Sequence, residues 1–246
     1  MEGYDAATYG DRIADVYDEW YGEAPFLETE AAVETLAGLA GAGPALELAI
    51  GTGRLALPLA ARGLEVHGID ASEAMVAKLR EKPGGDAIPV TIGDFADVGV
   101  DGRYPLVYLV FNTLFALRTQ DDQVRCFQNV AARLAEGGVF VVEAFVPLPE
   151  RFQGNVRVQK VDTDFVRLDM STLDRNQQVT DSQHVVLTPS GLRFFPVRIR
   201  WAYPPELDLM ARLAGLGLRD RWSSWAREPF TGTSTKHVSV YELDRG

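Results

Sequence analysis

Two glycines and two carboxylates within residues 45–70 have the types and spacing that a nucleoside-binding site requires. Gly51 and Gly53 follow a short apolar run, and because they lack a Cβ the backbone can turn sharply against a ligand. Asp70 ends the next apolar run, where a carboxylate can accept from both hydroxyls of a ribose. Glu47 is the one acid inside the first run. This arrangement predicts a site for an adenosine-containing cofactor.

Glu47 distinguishes between two classes of cofactor. Gly51, Gly53 and Ala56 together with Asp70 also match the fingerprint of a nicotinamide or flavin dinucleotide domain. A pyrophosphate is anionic, however, and a carboxylate four residues before Gly51 would repel it. S-Adenosylmethionine contains adenosine, an ammonium group and a sulfonium but no phosphate, so an acid at position 47 favours it. The alternative for Glu47 is an internal ion pair with a structural arginine or lysine.

Alternating strands and helices must position these side chains. Short apolar or alternating runs predict strands over 45–50, 64–70, 88–92, 104–111 and 139–145. Helical spacing predicts helices over 9–21, 28–41, 54–62, 73–82 and 120–136, the last closed by Gly137-Gly138. Pro58 should kink the third helix. This order predicts an α/β fold, in which a parallel sheet carries helices on both faces.

The pattern changes after Pro149, where β-rich segments are joined by short turns. Four of them, at 156–161, 165–170, 177–187 and 192–201, predict an antiparallel insert on the open side of the cleft. A helix over 204–215 and strands over 219–225 and 237–243 then predict a closing hairpin. We therefore expect an N-terminal helical lid (1–43), a core (44–150), a substrate-side insert (151–202) and a segment that completes the core sheet (203–246).

The sequence resembles the class I S-adenosylmethionine-dependent methyltransferases over roughly residues 17–146. The run from Glu47 to Gly53, with Asp70, carries most of the resemblance, and the later landmarks are Asp94-Phe95 and Phe111-Asn112. The resemblance implies a Rossmann-like seven-stranded sheet with a C-terminal antiparallel hairpin and an antiparallel β insert. It also implies direct methyl transfer from S-adenosylmethionine. A nicotinamide-dependent oxidoreductase and a module that binds S-adenosylmethionine without turnover are the rival functions.

The resemblance also implies roles for individual residues. Gly51 and Gly53 would let the methionine part lie on the backbone, while Glu47 would hold its ammonium group. Asp70 would accept from the ribose hydroxyls and Asp94 from the adenine amino group. Further residues would lie beside the adenine or where the methyl group meets the acceptor: Met75, Phe95, Phe111 and Asn112. Core packing is the alternative for Met75, and a turn-forming role is the alternative for Asp94.

Residues 14–18 with Tyr21 resemble the opening of the nucleotide-amino-sugar N-methyltransferases, in which a tyrosine-bearing N-terminal helix covers the cofactor. Tyr17 and Tyr21 would then belong to the cofactor site, and the acceptor would be the amine of a nucleotide-linked amino sugar. O- or C-methylation of another small metabolite stays open. Many of these relatives have a histidine after the fourth strand, but residues 112–117 contain none. His184 in the insert and Glu143 in the fifth strand are therefore the candidate bases.

The composition narrows the range of partners. A formal net charge of −11 argues against nucleic acid, whose phosphates would be repelled. No window approaches the roughly 18–20 apolar residues of a membrane helix. Cys126 is the single cysteine, and neither a signal-peptide pattern nor a metal-ligand spacing is present, so we expect a cytoplasmic protein without a metal. A small-molecule acceptor and a homodimer are the remaining expectations for its partners.

Overall fold

A computed structural model describes residues 1–22, 24–152 and 156–244. In these residues the α-helices are α1 (Thr8–Tyr21), α2 (Thr29–Ala40), α3 (Ala56–Ala61), α4 (Glu73–Arg80), α5 (Gln120–Arg133) and α6 (Pro204–Leu213). The strands are β1 (Ala45–Leu48), β2 (Val66–Asp70), β3 (Val90–Ile92), β4 (Tyr104–Leu109), β5 (Leu134–Phe145), β6 (Val156–Asp162), β7 (Phe165–Asp174), β8 (Val179–Thr188), β9 (Gly191–Arg200), β10 (Leu216–Trp222) and β11 (Lys236–Leu243). Parts of the expected 1–43, 151–202 and 203–246 segments, namely 23, 153–155 and 245–246, lie outside the described residues.

Seven strands form one Rossmann-like sheet in the order β10-β11-β5-β4-β1-β2-β3. Strands β1 to β5 are parallel, whereas β11 is antiparallel to both β5 and β10. The α/β sheet and its C-terminal antiparallel hairpin are confirmed. Because parallel strands end at the same edge, the residues that follow β1, β2 and β4 meet there.

The two faces of this sheet bury separate apolar layers. Successive side chains of a strand point to opposite faces. Val107 and Leu109 of β4 pack with α5 and α6, whereas Leu106 and Tyr108 pack with α2 and α3. The sheet is therefore covered on both sides, and its carboxyl edge is the part that can open to ligands.

Gly137 and Gly138 belong to strand β5 rather than to the end of helix α5. The sequence predicted that the helix runs to Glu136 and ends at Gly137-Gly138. α5 ends earlier, because Leu134 already has extended dihedral angles (φ −68°, ψ 136°). Gly137 (φ +71°) and Gly138 lie inside β5 at a register irregularity, and a Cβ on Gly138 would come within 2.8 Å of the Tyr104 carbonyl oxygen. Glycine is needed there for close backbone approach.

The element boundaries around the first glycine turn also differ from the prediction. β1 ends at Leu48 rather than position 50, because Ala49 has a left-handed backbone (φ +54°). α3 begins at Ala56, so Pro58 lies in the first turn of the helix, where its missing N–H would have no partner in any case. Pro58 therefore removes no hydrogen bond within α3, and the reason for expecting a kink does not apply.

The antiparallel insert is a separate four-stranded sheet in the order β6-β7-β8-β9. One of its faces packs against α1: Val186 and Phe195 form an apolar cluster with Ile13 and Ala14. We call this the inner face of the insert. Within the described ranges, none of the helices combines the length and apolar character that a bilayer crossing requires.

Candidate active site

The turn after β1 requires glycine for both conformation and space. Gly51 and Gly53 have φ values of +57° and +81°, which side chains with a Cβ rarely adopt. A Cβ on Gly53 would lie 2.4 Å from Cδ1 of Leu79, and one on Gly51 would lie 3.2 Å from Cε of Met75. Met75 is thus buried beside the turn, and its expected contact with the adenine stays a prediction. The backbone of this turn is the surface against which a ligand can lie.

Asp70 is held at the end of β2 by two backbone amides. Its Oδ2 accepts the Gly51 N–H at 2.7 Å, and its Oδ1 accepts the Ser72 N–H at 2.9 Å. Burial raises the pKa of Asp70, and these two hydrogen bonds oppose the rise. Each carboxylate oxygen has a second lone pair, so Asp70 can still accept from the two hydroxyls of a ribose.

Glu47 is a buried acid whose hydrogen-bond partner is a neutral hydroxyl. The Tyr108 hydroxyl donates to Glu47 Oε2 at 2.9 Å, and Glu47 as a whole is only 4% exposed. Burial raises the pKa of Glu47 to about 8, against the opposing effects of Tyr108 and the charge of Arg54. Among the described residues, no lysine or arginine forms a salt bridge with it. The internal ion pair that was the alternative for Glu47 is therefore not formed there.

Tyrosines of α1 reach the turn after β4. Burial raises the pKa of Tyr17 to about 12, with smaller contributions from the negative charges of Glu47 and Asp70. The rings of Tyr17 and Tyr21 are 5.1 Å apart, and Tyr21 lies 5.3 Å from the ring of Phe111. The sequence-predicted residues from α1, β1, β2 and β4 thus meet at one edge of the sheet.

Polar contacts that sequence reasoning did not predict attach α1 to this edge. The Thr52 hydroxyl donates to Asp18 at 2.6 Å, Lys82 forms a 2.7 Å salt bridge with Asp18, and Lys82 also donates to the Thr52 carbonyl at 2.8 Å. Ser72, the N-cap of α4, donates to Asp11 at 2.6 Å. We call these contacts the α1 latch. These contacts join residues of different helices and turns. A local sequence pattern cannot predict which residue of another element will be the partner.

The turn after β4 has a strained backbone. Phe111 and Asn112 have left-handed backbones (φ +55° and +66°), which cost free energy unless other contacts hold them. Glu143 Oε2 accepts the Phe111 N–H at 2.9 Å, and Asn112 Oδ1 accepts the Phe145 N–H at 2.6 Å. The other oxygen of Glu143 accepts Trp225 Nε1–H at 3.0 Å. Both oxygens of this candidate base therefore already accept from N–H groups, one of which belongs to the turn.

Asp94 and Phe95 lie after β3, further along the same edge. Asp94 Oδ1 accepts the Ala96 N–H at 2.9 Å, which is the turn-forming role that was its alternative. Phe95 is 7% exposed and packs into the apolar layer that contains Ile69. The adenine contacts expected of these two residues stay a prediction.

His184 is paired with a carboxylate on the inner face of the insert. Its Nδ1 lies 2.5 Å from Asp169 Oδ1, while Gln159 donates to Asp169 Oδ2 at 2.6 Å. Burial alone would raise the pKa of Asp169, but the hydrogen bonds and the charges of His184 and Arg167 outweigh it and lower the pKa. Trp20 of α1 lies edge-on to the His184 ring at 6.4 Å. The Asp169–His184 pair therefore faces the helix that covers the cofactor edge.

A pocket of about 540 Å³ opens beside the glycine turn. Its lining includes Asp18 and Lys82 of the α1 latch together with Gly53 and Arg54. The pocket is next to the edge formed by Glu47 and Asp70 rather than on it. It opens where α1 meets the glycine turn.

Comparison with known proteins gives matches over the core and over nearly the whole chain. Residues 45–138 match the model of a methyltransferase domain family. The CcbJ methyltransferase of Streptomyces caelestis is 42% identical, with a TM-score of 0.91 over 98% of this chain and 100% of that one. The cypemycin N-terminal methyltransferase of a Streptomyces species is 30% identical over 80% of this chain and 82% of its own. A dTDP-4-amino-2,3,4,6-tetradeoxy-D-glucose N,N-dimethyltransferase of Saccharopolyspora spinosa is 29% identical over 87% and 88%, respectively.

The residues at the carboxyl edge suit the methyl donor used by such enzymes. The buried Glu47 carboxyl group, which forms no salt bridge in the part of the chain that the structure describes, can take an ammonium group, and Asp70 can accept from a ribose. Neither group suits a pyrophosphate. With matches that run through the core and the insert alike, this chain belongs to the class I S-adenosylmethionine-dependent methyltransferases and uses S-adenosylmethionine as its cofactor.

Proposed function

We propose that the enzyme methylates an amine nitrogen of a small molecule, and that the amine of a nucleotide-linked amino sugar is the first acceptor to test. The Asp169–His184 pair on the inner face of the insert is the observation that carries this proposal. Two of the relatives support it, because by name one methylates the N-terminus of cypemycin and the other the amine of a dTDP-linked sugar. O- and C-methylation are the alternatives that the experiment below separates.

The residues at the carboxyl edge of the seven-stranded sheet bind the methyl donor. When bound, S-adenosylmethionine supplies a methyl group that its sulfonium already activates. Glu47 binds the ammonium group, Asp70 binds the ribose, and Asp94 with Phe95 borders the adenine. Tyr17 and Tyr21 close over the cofactor from α1 and exclude water, which strengthens the electrostatic contacts inside the site.

The acceptor side must supply an unprotonated nitrogen. A protonated amine has no lone pair, so it must pass a proton to a base before its nitrogen can attack the methyl carbon. Asp169 binds Nδ1 of His184, which leaves Nε2 as the position that accepts this proton. Glu143 is the weaker candidate, because Phe111 and Trp225 already donate to its two oxygens.

Aromatic rings line the space between the two sides. Trp20 contacts Phe195 of the insert at 4.9 Å and Tyr21 at 6.4 Å, and Tyr21 in turn contacts Phe111. We propose that residues 1–43 act as the lid, 44–150 bind the cofactor, 151–202 bind the acceptor, and 203–246 complete the core sheet. The enzyme then has to align nitrogen and methyl carbon at roughly 3–3.5 Å, with Asn112 beside them.

Methyl transfer to a panel of acceptors tests the proposal. The purified protein is incubated with S-adenosylmethionine carrying a labelled methyl group and with dTDP-linked 4-amino sugars, free amino sugars, short peptides and phenols. Mass spectrometry then locates the methyl group. We expect label on nitrogen, and more of it on the amino sugars than on the peptides. Label confined to oxygen or carbon, or no transfer to any acceptor despite cofactor binding, contradicts the proposal.

A further inference from the structure

Three cations form a row across the inner face of the insert. Lys160 of β6 is directly opposite Arg167 of β7, and Arg167 and Arg193 are each opposite Val186 of β8. Residues that are directly opposite each other share a face. Because Val186 packs against α1, the basic row, defined as Lys160, Arg167 and Arg193, lies on the inner face beside that helix.

Aromatic rings hold each cation of the basic row. The Arg167 guanidinium carbon lies 3.9 Å from the ring centre of Trp20. The Arg193 guanidinium carbon lies 5.0 Å from the ring centre of Phe195, and Lys160 Nζ lies 5.3 Å from that of Phe165, which are distances typical of cation–π pairs. The side chains are thereby restrained, so a ligand that binds them loses less affinity to side-chain ordering.

The positive charge of the basic row is only partly balanced. Like charges directly opposite on neighbouring strands destabilise a sheet, as Lys160 and Arg167 must here. Asp169 is 3.9 Å from Arg167 Nε, but it is already bound to His184, and in the described residues Arg167 Nε has no hydrogen-bond partner. Asp162 lies at the end of the same face. In a chain with a net charge of −11, this concentration of cations indicates a ligand of opposite sign.

We infer that the basic row binds an anionic group of the acceptor, either a phosphate or a carboxylate. Arg167 of the basic row is two residues from Asp169 on β7, which corresponds to roughly 7 Å along the strand. This inference rests on the proposed function: the amine faces His184, and the anionic group lies about that distance away on the same molecule. The acceptor class is thus an amine that carries its acid roughly 7 Å from the nitrogen.

Binding of inorganic pyrophosphate tests the site without any acceptor. The protein, saturated with S-adenosylhomocysteine, is titrated calorimetrically at constant ionic strength. Compared with the unaltered protein, we expect the double variant Lys160→Gln/Arg193→Gln to bind pyrophosphate at least tenfold more weakly. Arg219→Gln, which removes one positive charge at an exposed site on β10, should bind as the unaltered protein does. Equal affinity in the two variants, or no binding to the unaltered protein, overturns the inference.

Matched acceptors separate the two sources of the anion. Glucosamine 6-phosphate is compared with glucosamine, and the dipeptide glycylglycine with its C-terminal amide. We expect the charged member of one pair to have a KM at least tenfold lower, with a similar kcat, and the double variant to remove this preference. Loss of pyrophosphate binding in the double variant, with no amine methylated, supports the anion site and contradicts the proposed function. Amines methylated equally with and without an acid contradict the inference alone.

Discussion

Glu47 and Tyr108 are directly opposite each other on the neighbouring parallel strands β1 and β4, and the Tyr108 hydroxyl donates to the Glu47 carboxyl group at 2.9 Å. The pair lies below the glycine turn, where burial raises the pKa of Glu47 to about 8. At neutral pH and without cofactor, the carboxyl group is therefore mostly protonated. Binding of an ammonium group requires the ionised form.

The affinity for S-adenosylmethionine should consequently depend on pH. Because binding selects ionised Glu47, the affinity should rise as the pH increases towards about 8. The limiting slope is about tenfold per pH unit, with close to one proton released per cofactor. Calorimetric titrations between pH 6 and 7.5, in buffers with different heats of ionisation, measure both quantities. An affinity that is constant over this range would contradict the role of Glu47.

The same carboxyl group should reduce the stability of the cofactor-free protein at high pH. A pKa raised on folding stabilises the folded state below about pH 4.5, and this contribution is lost as the pH rises through about 8. Glu47→Gln should therefore raise the Tm of the cofactor-free protein at pH 8 and above, while the increase in Tm caused by S-adenosylmethionine disappears. Glu34→Gln, at an exposed site on α2, is the control and should change neither value.

Gly10 sets the distance between α1 and α4. A Cβ at this position would lie 2.5 Å from Cβ of Ser72, so Gly10→Ala should push α1 away and weaken the contact between Ser72 and Asp11. We expect a loss of about 1–3 kcal/mol in the free energy of unfolding and weaker cofactor binding. Gly38→Ala in α2 meets no atom within 4 Å and should instead stabilise the protein by up to about 1 kcal/mol. Denaturant unfolding and cofactor titration of both variants measure the contrast.

Asp70→Asn should weaken cofactor binding even though the side chain keeps its size. An amide can offer one oxygen only, so its NH₂ group would face either the Gly51 or the Ser72 N–H. Hydrogen bonds to a charged group contribute about 1.5–3 kcal/mol each, which corresponds to roughly a 10- to 100-fold loss of affinity. Asp86→Asn, at an exposed site, provides the control in the same calorimetric titration. Equal affinities for the two variants would mean that Asp70 does not bind the ribose.

His184→Gln and Asp169→Asn test the proposed base. Loss of a general base reduces kcat by about 10²–10⁴-fold, and both variants should fall in or near this range without a change in cofactor affinity. Asp169 holds His184 Nδ1 and is itself held by Gln159, so Asp169→Asn should act on kcat through loss of the contact that orients the His184 ring. An unchanged kcat in His184→Gln would show that the acceptor amine loses its proton to another group.

Local patterns were sufficient for the sheet and for the cofactor edge. The apolar run ending at Gly51 and Gly53, and the acid at the end of β2, correctly placed the turn and Asp70 side by side. The order of strands and helices also predicted the insert and the closing hairpin. The prediction failed where tertiary contacts decide the backbone: Gly137 was assigned to a helix end but lies in β5, opposite the start of β4.

Pairs of residues distant in sequence were beyond the reach of these patterns. Asp18 and Lys82 form part of the α1 latch, yet neither has a sequence neighbour that indicates its partner. Asp169 is found beside His184 only because β7 and β8 pair in one particular register. Register depends on turn geometry and on which face is buried, so it is settled by the folded structure.

The position of α1 affects the order in which small molecules can enter and leave. The helix contacts the glycine turn through Asp18 and the insert through Trp20, so a displacement of α1 would change both contacts together. We therefore expect exchange of the donor and exchange of the acceptor to be coupled through this helix.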